Sequence, residues 1–141
     1  MVSVAPGTDC CGRGFSQLGS GSGMDVFFAA ERIGPSGTVV GIDFTTEQLT
    51  NARDIANEAG YSQAEFREGR IEQLPADGAS FDCVISNGVI NLAPEKDAVF
   101  AEAARVLKPG GRLAIADIVS EQQMKESIGC DADLWASCIG G

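Results

Sequence analysis

Three glycines at alternate positions, Gly19, Gly21 and Gly23 in the string Leu18-Gly19-Ser20-Gly21-Ser22-Gly23, run directly into Met24-Asp25-Val26-Phe27-Phe28. A short turn without side chains reaches backbone angles closed to other residues and lets a ligand approach the main chain. Met24, Phe27 and Phe28 stand at i, i+3 and i+4, so the spacing predicts a helix that buries this face. A glycine turn opening onto a helix N-terminus presents free N–H groups and a partial positive charge to an anionic ligand group. The dinucleotide spacing G-x-G-x-x-G requires glycine at Met24 or Val26 and is not met. That spacing, with few acid–base groups elsewhere, disfavours a nicotinamide-dependent oxidoreductase. A flexible Gly/Ser loop without a ligand is the bland alternative, and the rest of the chain decides against it.

A turn of this kind needs a buried parallel strand before it, which reads as an apolar run. Only Phe15-Ser16-Gln17-Leu18 is available, so the first strand is expected to be short or distorted, after an irregular segment over residues 1–14. A helix is expected from Met24 to Arg32, closed by Gly34-Pro35, and then a strand Thr38-Val39-Val40-Gly41-Ile42 ending at Asp43. Asp43 lies about 20 residues past the last glycine of the turn, where an acidic residue at a second-strand tip reaches ribose hydroxyls. A turn or N-cap aspartate is the other reading of that position. A second helix, Thr46 to Ala59, places Leu49, Ala52, Ala56 and Ala59 on one face, and Gly60 ends it. The third strand, Ala64 to Glu68, is polar enough for a sheet edge, and Gly69-Arg70-Ile71-Glu72-Gln73-Leu74-Pro75 follows as a loop.

Phe81-Asp82-Cys83-Val84-Ile85-Ser86 reads as a central strand, with Cys83 a small core residue. Asn87 and Asn91 follow it, where ligands bind in doubly wound sheets, although asparagine also favours turns. A helix from Pro94 to Leu107 is expected to turn Phe100, Ala103 and Leu107 inward. Lys108-Pro109-Gly110-Gly111 is a strong turn signal before a fifth strand, Arg112 to Ile118, and a further amphipathic stretch covers about Glu121 to Ile128.

The chain has 141 residues, room for one domain with a real core. Its net charge of −10 argues against a nucleic-acid partner. No apolar run reaches membrane-spanning length, and no basic region followed by an apolar one opens the chain. A cytoplasmic protein acting on a small molecule is therefore expected, with neither nucleic acid nor membrane as partner. Histidine is absent, which removes His-based general base catalysis and His-containing zinc sites. The five cysteines, Cys10, Cys11, Cys83, Cys130 and Cys138, contain no C-x-x-C pair and are odd in number, so neither a structural zinc nor a disulfide framework is expected.

G-x-G-x-G is the form of the first motif in class I S-adenosylmethionine-dependent methyltransferases, and from residue 15 onward the chain resembles their cofactor-binding core. Arg105-Val106-Leu107-Lys108-Pro109-Gly110-Gly111 resembles the segment after their later motifs. In detail the chain is similar to the arsenite methyltransferases. Gly23-Met24-Asp25-Val26-Phe27, Arg70-Ile71-Glu72, Ser86-Asn87-Gly88-Val89-Ile90-Asn91-Leu92 and Ser137-Cys138-Ile139-Gly140-Gly141 carry that similarity. The resemblance implies S-adenosylmethionine as cofactor, held by Gly19, Ser20, Gly21 and Gly23, by Asp43 and Phe44, by Ile71 and Glu72 near the adenine, and by Asn87. It implies trivalent arsenic held by cysteine thiolate, with the arsenic lone pair attacking the sulfonium methyl in line. Soft thiolates suit a soft metalloid, and the protein contributes mainly positioning. Cys138 matches the family's cysteine and is the expected catalytic residue and arsenic ligand.

The chain departs from the pattern at two places. Gln17 stands where the family usually has aspartate, and Arg70 where an aspartate often follows the glycine. The resemblance further implies a Rossmann-like α/β fold, a doubly wound parallel sheet in the order 3-2-1-4-5 that lacks the family's two usual C-terminal strands. An exposed fifth-strand edge is then open to pairing, and a homodimer or other self-association that covers it is expected. Two alternatives stay open: a cofactor-binding module without turnover, and a methyltransferase for another small molecule.

Overall fold

The computed structural model describes residues 14–119. The expected amphipathic stretch over residues 121–128 and the cysteines Cys10, Cys11, Cys130 and Cys138 lie outside the described residues, as does all of the expected irregular segment except Gly14. The elements are β1 (Gly14–Leu18), α1 (Met24–Ile33), β2 (Thr38–Asp43), α2 (Thr46–Ala59), β3 (Ala64–Glu68), β4 (Phe81–Asn87), a 3-10 turn (Ile90–Leu92), α3 (Lys96–Val106) and β5 (Leu107–Ala116). The five strands form one sheet in the order β3-β2-β1-β4-β5, and every neighbouring pair is parallel. This is the expected doubly wound order, with β3 at one edge.

The first strand is short but regular. Gly14 to Leu18 pair with Thr38 to Ile42 of β2, and Phe15 to Leu18 with Cys83 to Ser86 of β4, without a break in either register. A strand flanked on both sides and covered on both faces must bury successive side chains. Phe15, Ser16, Gln17 and Leu18 are accordingly all buried. The alternation of β-strand side chains divides the interior into two cores. Phe15, Val39, Cys83 and Ile85 pack under α1 and α2 with Val26, Leu49 and Ala52; Leu18, Val40, Ile42 and Val84 pack under α3 with Val99, Ala103 and Val106.

Three expectations about helix faces are corrected. The buried face of α1 is Val26, Ala29 and Ala30, while Met24 and Phe28 are 65% and 49% exposed. Small residues let the helix axis lie close to the sheet, and the bulky set is rotated away from it. Phe27 is partly buried at the margin, stacked on Tyr61 with ring centroids 5.0 Å apart and edge-on to Phe66. In α2 the face holds for Leu49, Ala52 and Ala56, but Ala59, in the last turn, is exposed. In α3 the stripe is Val99, Ala103 and Val106, so Phe100 lies a third of a turn off it and is exposed, and Leu107 begins β5.

Lys108-Pro109-Gly110-Gly111 is not a separate turn before the last strand. It lies inside β5, where the register jumps from Phe81↔Leu107 to Cys83↔Arg112 and Gly110 adopts φ +79°. Turn chemistry is spent here on a bulge, which β5, paired on one side among the described residues, accommodates because its outer N–H groups meet no ladder there. The ladder continues to Ala116 and leaves Asp117 and Ile118 beyond the strand.

Candidate functional site

The glycine turn joins β1 to α1 at the carboxyl end of the central strand. The Ser20 N–H donates to the Ile42 carbonyl at 2.9 Å and the Gly23 N–H to the Ser20 carbonyl at 2.9 Å, which ties the turn to β2 and closes it on itself. Gly19 and Gly21 have φ +63° and +51°, in the left-handed region that favours glycine. They serve different ends. A Cβ on Gly19 would stand 2.6 Å from Val89 Cγ2, so this glycine lets the segment after β4 press onto the turn. A Cβ on Gly21 would meet nothing within 4 Å. The empty space above Gly21 is where a ligand can touch the backbone.

Asp43, at the tip of β2, is buried and binds the turn directly. Its Oδ2 accepts the Gly21 N–H at 2.8 Å and its Oδ1 the Thr45 N–H at 2.9 Å. Its carbonyl accepts the Gly69 N–H at 2.9 Å, so one residue gathers the segments after β1, β2 and β3. The bond to Thr45, two residues on, is ordinary turn chemistry; the bond to Gly21, across 22 residues, is not. Phe44, next to it, is 70% exposed beside the turn.

The loop after β3 is held less by the site than by the core. Ile71 is buried within the α3-side core beside Leu74, so its side chain is already engaged with protein. Glu72 faces Arg70, with Oε1 3.3 Å from the guanidinium. Further along, Glu102 Oε2 accepts the Leu74 N–H at 2.7 Å and Oε1 pairs with Arg105 at 2.6 Å. Arg105, helped by the Leu74 N–H, holds the Glu102 carboxyl below its ordinary value against the opposing effect of burial.

Gly19 to Gly23, Asp43, Ile71, Glu72 and Asn87 thus stand at the carboxyl ends of four adjacent strands, where doubly wound sheets bind ligands. Cys138 lies outside the described residues. Two residues without a role in the sequence reading belong to the same region. Asp25, in the first turn of α1, accepts hydrogen bonds on Oδ2 from Gln17 Nε2 at 3.0 Å and from Asn87 Nδ2 at 3.1 Å. Asp117, after β5, accepts the Ile90 and Asn91 N–H groups on Oδ2 at 3.0 and 3.2 Å, pinning the segment that carries Val89. Asp25 lies in the string Gly23-Met24-Asp25-Val26-Phe27, but an aspartate in a helix's first turn ordinarily complements the dipole, and no motif marked Asp117.

Comparison with known proteins agrees with this geometry. The family described as a methyltransferase domain matches residues 17–141. The chain is 43% identical over 141 residues to the arsenite methyltransferase of Halobacterium salinarum, a match covering all of this chain and 35% of that protein. It is 44% identical over 132 residues to the arsenite methyltransferase of Aquipseudomonas alcaligenes, covering 88% of this chain and 38% of that one. The crystal structure of an arsenic(III) S-adenosylmethionine methyltransferase from Chlamydomonas reinhardtii superposes with a TM-score of 0.81 at 37% identity, over 90% of this chain and 46% of that one. The chain spans little more than a third of the length of these two curated relatives. With its parallel sheet, its glycine turn and a family match that runs from Gln17 to the last residue, the chain belongs to the methyltransferase-domain family.

Proposed function

We propose that this chain is the S-adenosylmethionine-binding core of a methyltransferase whose acceptor is trivalent arsenic held by the Cys138 thiolate. The observation that carries the cofactor assignment is the buried Asp43 bonded to a glycine turn with open space above Gly21. The polar atoms fit a ligand there: Ser20 Oγ and Gln17 Oε1 are buried and have no hydrogen-bond partner among the described residues. Buried polar atoms are normally paired, so such a cluster beside a glycine turn favours a polar ligand. Bound there, S-adenosylmethionine supplies an electrophilic sulfonium methyl group.

Each Asp43 oxygen already accepts one N–H group and keeps a lone pair for a ribose hydroxyl. Phe44, Ile71 and Glu72 stand toward the adenine end, and Asn87 toward the opposite side of the turn. The similarity to arsenite methyltransferases over the whole chain supports arsenic as the acceptor, and Cys138 is the thiolate assigned to hold it. A thiolate ligand requires a reducing compartment, which agrees with a cytoplasmic protein. Among the described residues no helix is long and apolar enough to cross a membrane. β5 pairs on one side only among the described residues, so a second copy is assigned to its open edge.

A second reading, a cofactor-binding core without turnover, draws support from Gln17 and Arg70, which stand where the family carries aspartate. Calorimetric titration with S-adenosylmethionine and with NAD, followed by arsenite turnover, separates the possibilities. Saturable binding of the first ligand alone supports the cofactor assignment, and binding of neither overturns it. Methylation that collapses in Cys138→Ser while cofactor binding survives supports the thiolate role; unchanged methylation overturns it. Binding without turnover in the unmodified chain selects the second reading.

A further inference from the structure

Two primary amides from neighbouring strands converge on one oxygen. Gln17 Nε2, from β1, and Asn87 Nδ2, from β4, lie 3.0 and 3.1 Å from Asp25 Oδ2. An ionised carboxylate only accepts hydrogen bonds, so both amides must turn their NH2 groups toward it. That orientation has a cost at Gln17. Its other terminal atom, Oε1, is buried without a hydrogen-bond partner in a side chain only 3% exposed. A buried amide oxygen left unpaired loses roughly the desolvation free energy of a hydrogen bond, so the arrangement favours a donor brought from outside. Asp25 Oδ1 likewise makes no hydrogen bond to another described residue, whereas Oδ2 takes two.

The site therefore has a second carboxylate besides Asp43, and the two flank the glycine turn. Asp43 is on the β2 side, and Asp25 is tied to the tips of β1 and β4. Neighbouring strands are about 4.8 Å apart, so the tips of β2 and β4 are about 10 Å apart across β1. A ligand held at Asp43 and lying over Gly21 therefore reaches the Asp25 side with whatever part of it crosses the tip of β1. What awaits it there is the Asp25 carboxylate and the unpaired Gln17 Oε1. The chemistry selects a cationic donor.

We infer that Asp25 Oδ1, the carboxylate oxygen that the Gln17 and Asn87 amides leave open, receives the α-ammonium group on the amino-acid arm of the cofactor. The inference rests on the cofactor reading above and adds a binding role for Asp25, with Gln17 and Asn87 as the residues that position its carboxylate. Asp25→Asn tests it. The asparagine keeps an oxygen for the two amides but turns an NH2 group toward the ligand in place of the second carboxylate oxygen.

Binding of S-adenosylhomocysteine and of 5′-methylthioadenosine is measured for both proteins by calorimetry. The two ligands share the thioadenosine part, and only the first carries the amino-acid arm. The expected result is a loss of about 10- to 100-fold for S-adenosylhomocysteine, the size of one hydrogen bond to a charged group, with methylthioadenosine within about twofold of the unmodified protein. A parallel loss of both ligands makes Asp25 a structural prop and overturns the inference, as does no change in either. If the unmodified protein binds both ligands equally, the arm has no receptor and the inference fails while the cofactor reading stands. If it binds neither, the cofactor reading falls and takes the inference with it.

Discussion

Replacing Asp43 separates what the residue does for the fold from what it does for a ligand. Asp43→Ala removes the acceptors of the Gly21 and Thr45 N–H groups, bonds of 2.8 and 2.9 Å. A hydrogen bond to a charged group contributes about 1.5–3 kcal/mol, and partly exposed N–H groups recover some of that from water, so the loss of both is expected to cost about 2–4 kcal/mol. Asp43→Asn keeps one acceptor and sets an NH2 group against the other N–H, so it is expected to lose about half as much. With a urea slope of about 1–3 kcal/mol per molar, the alanine variant's midpoint falls by roughly 1–2 M. Calorimetry on the same proteins should show S-adenosylmethionine weakened by a further 1–3 kcal/mol, about 5- to 150-fold, if the remaining lone pairs hold the ribose. An unchanged urea midpoint in Asp43→Ala would refute the argument that Asp43 anchors the turn. A lowered midpoint with undiminished affinity would leave the anchor standing and sink the ribose assignment.

Two further perturbations probe the turn and the loop beyond β3. Gly19→Ala and Gly21→Ala both meet left-handed backbone, a strain of about 1–2 kcal/mol, but only Gly19→Ala drives a Cβ to 2.6 Å from Val89 Cγ2. Urea unfolding should therefore show Gly19→Ala to be the less stable by a further 1–3 kcal/mol, and calorimetry should show Gly21→Ala losing cofactor affinity out of proportion to its stability. Equal urea midpoints for the two would contradict the packing argument. Glu102 supplies a pH dependence: Arg105 depresses its carboxyl in the folded chain, so its contribution is complete above the unfolded value and is lost as pH falls through the folded one. Thermal unfolding of Glu102→Gln should lose less stability than the unmodified protein on acidification from neutral pH to below the ordinary carboxyl range, and parallel pH profiles would show the carboxylate to be idle.

The parts of this molecule that could be read in the sequence are those whose cause is local. The glycine turn, the apolar runs of β2 and β4 and the glycine at the end of α2 each announce themselves within a few residues, and the sheet order follows from the right-handed crossovers that such a succession permits. The face of α1 was misleading for a physical reason. Hydrophobicity ranks Met24, Phe27 and Phe28 above Val26, Ala29 and Ala30, but the sheet selects the set that allows close approach, and that selection is not encoded in the helix alone. The glycines of Lys108-Pro109-Gly110-Gly111 specify an unusual backbone; whether it reverses the chain or bulges an edge strand depends on pairing with β4, far off in sequence.

The site divides along the same line. A motif at the tip of β1 fixes where main-chain N–H groups point, and that much is legible. Which side chains meet there is decided between segments far apart in sequence, since Asp43 accepts the Gly21 N–H across 22 residues and Asp25 accepts the Asn87 side-chain amide across 62. Gln17 shows why the distinction matters. Considered alone, an amide in place of a carboxylate on the central strand subtracts a charge from the site. Beside Asp25 it has a different effect: it donates to a carboxylate already present, where an ionised side chain at position 17 would oppose it at about 3 Å. The negative charge has a place in this site, on the helix rather than on the strand, and only the packing of α1 against β1 and β4 reveals it.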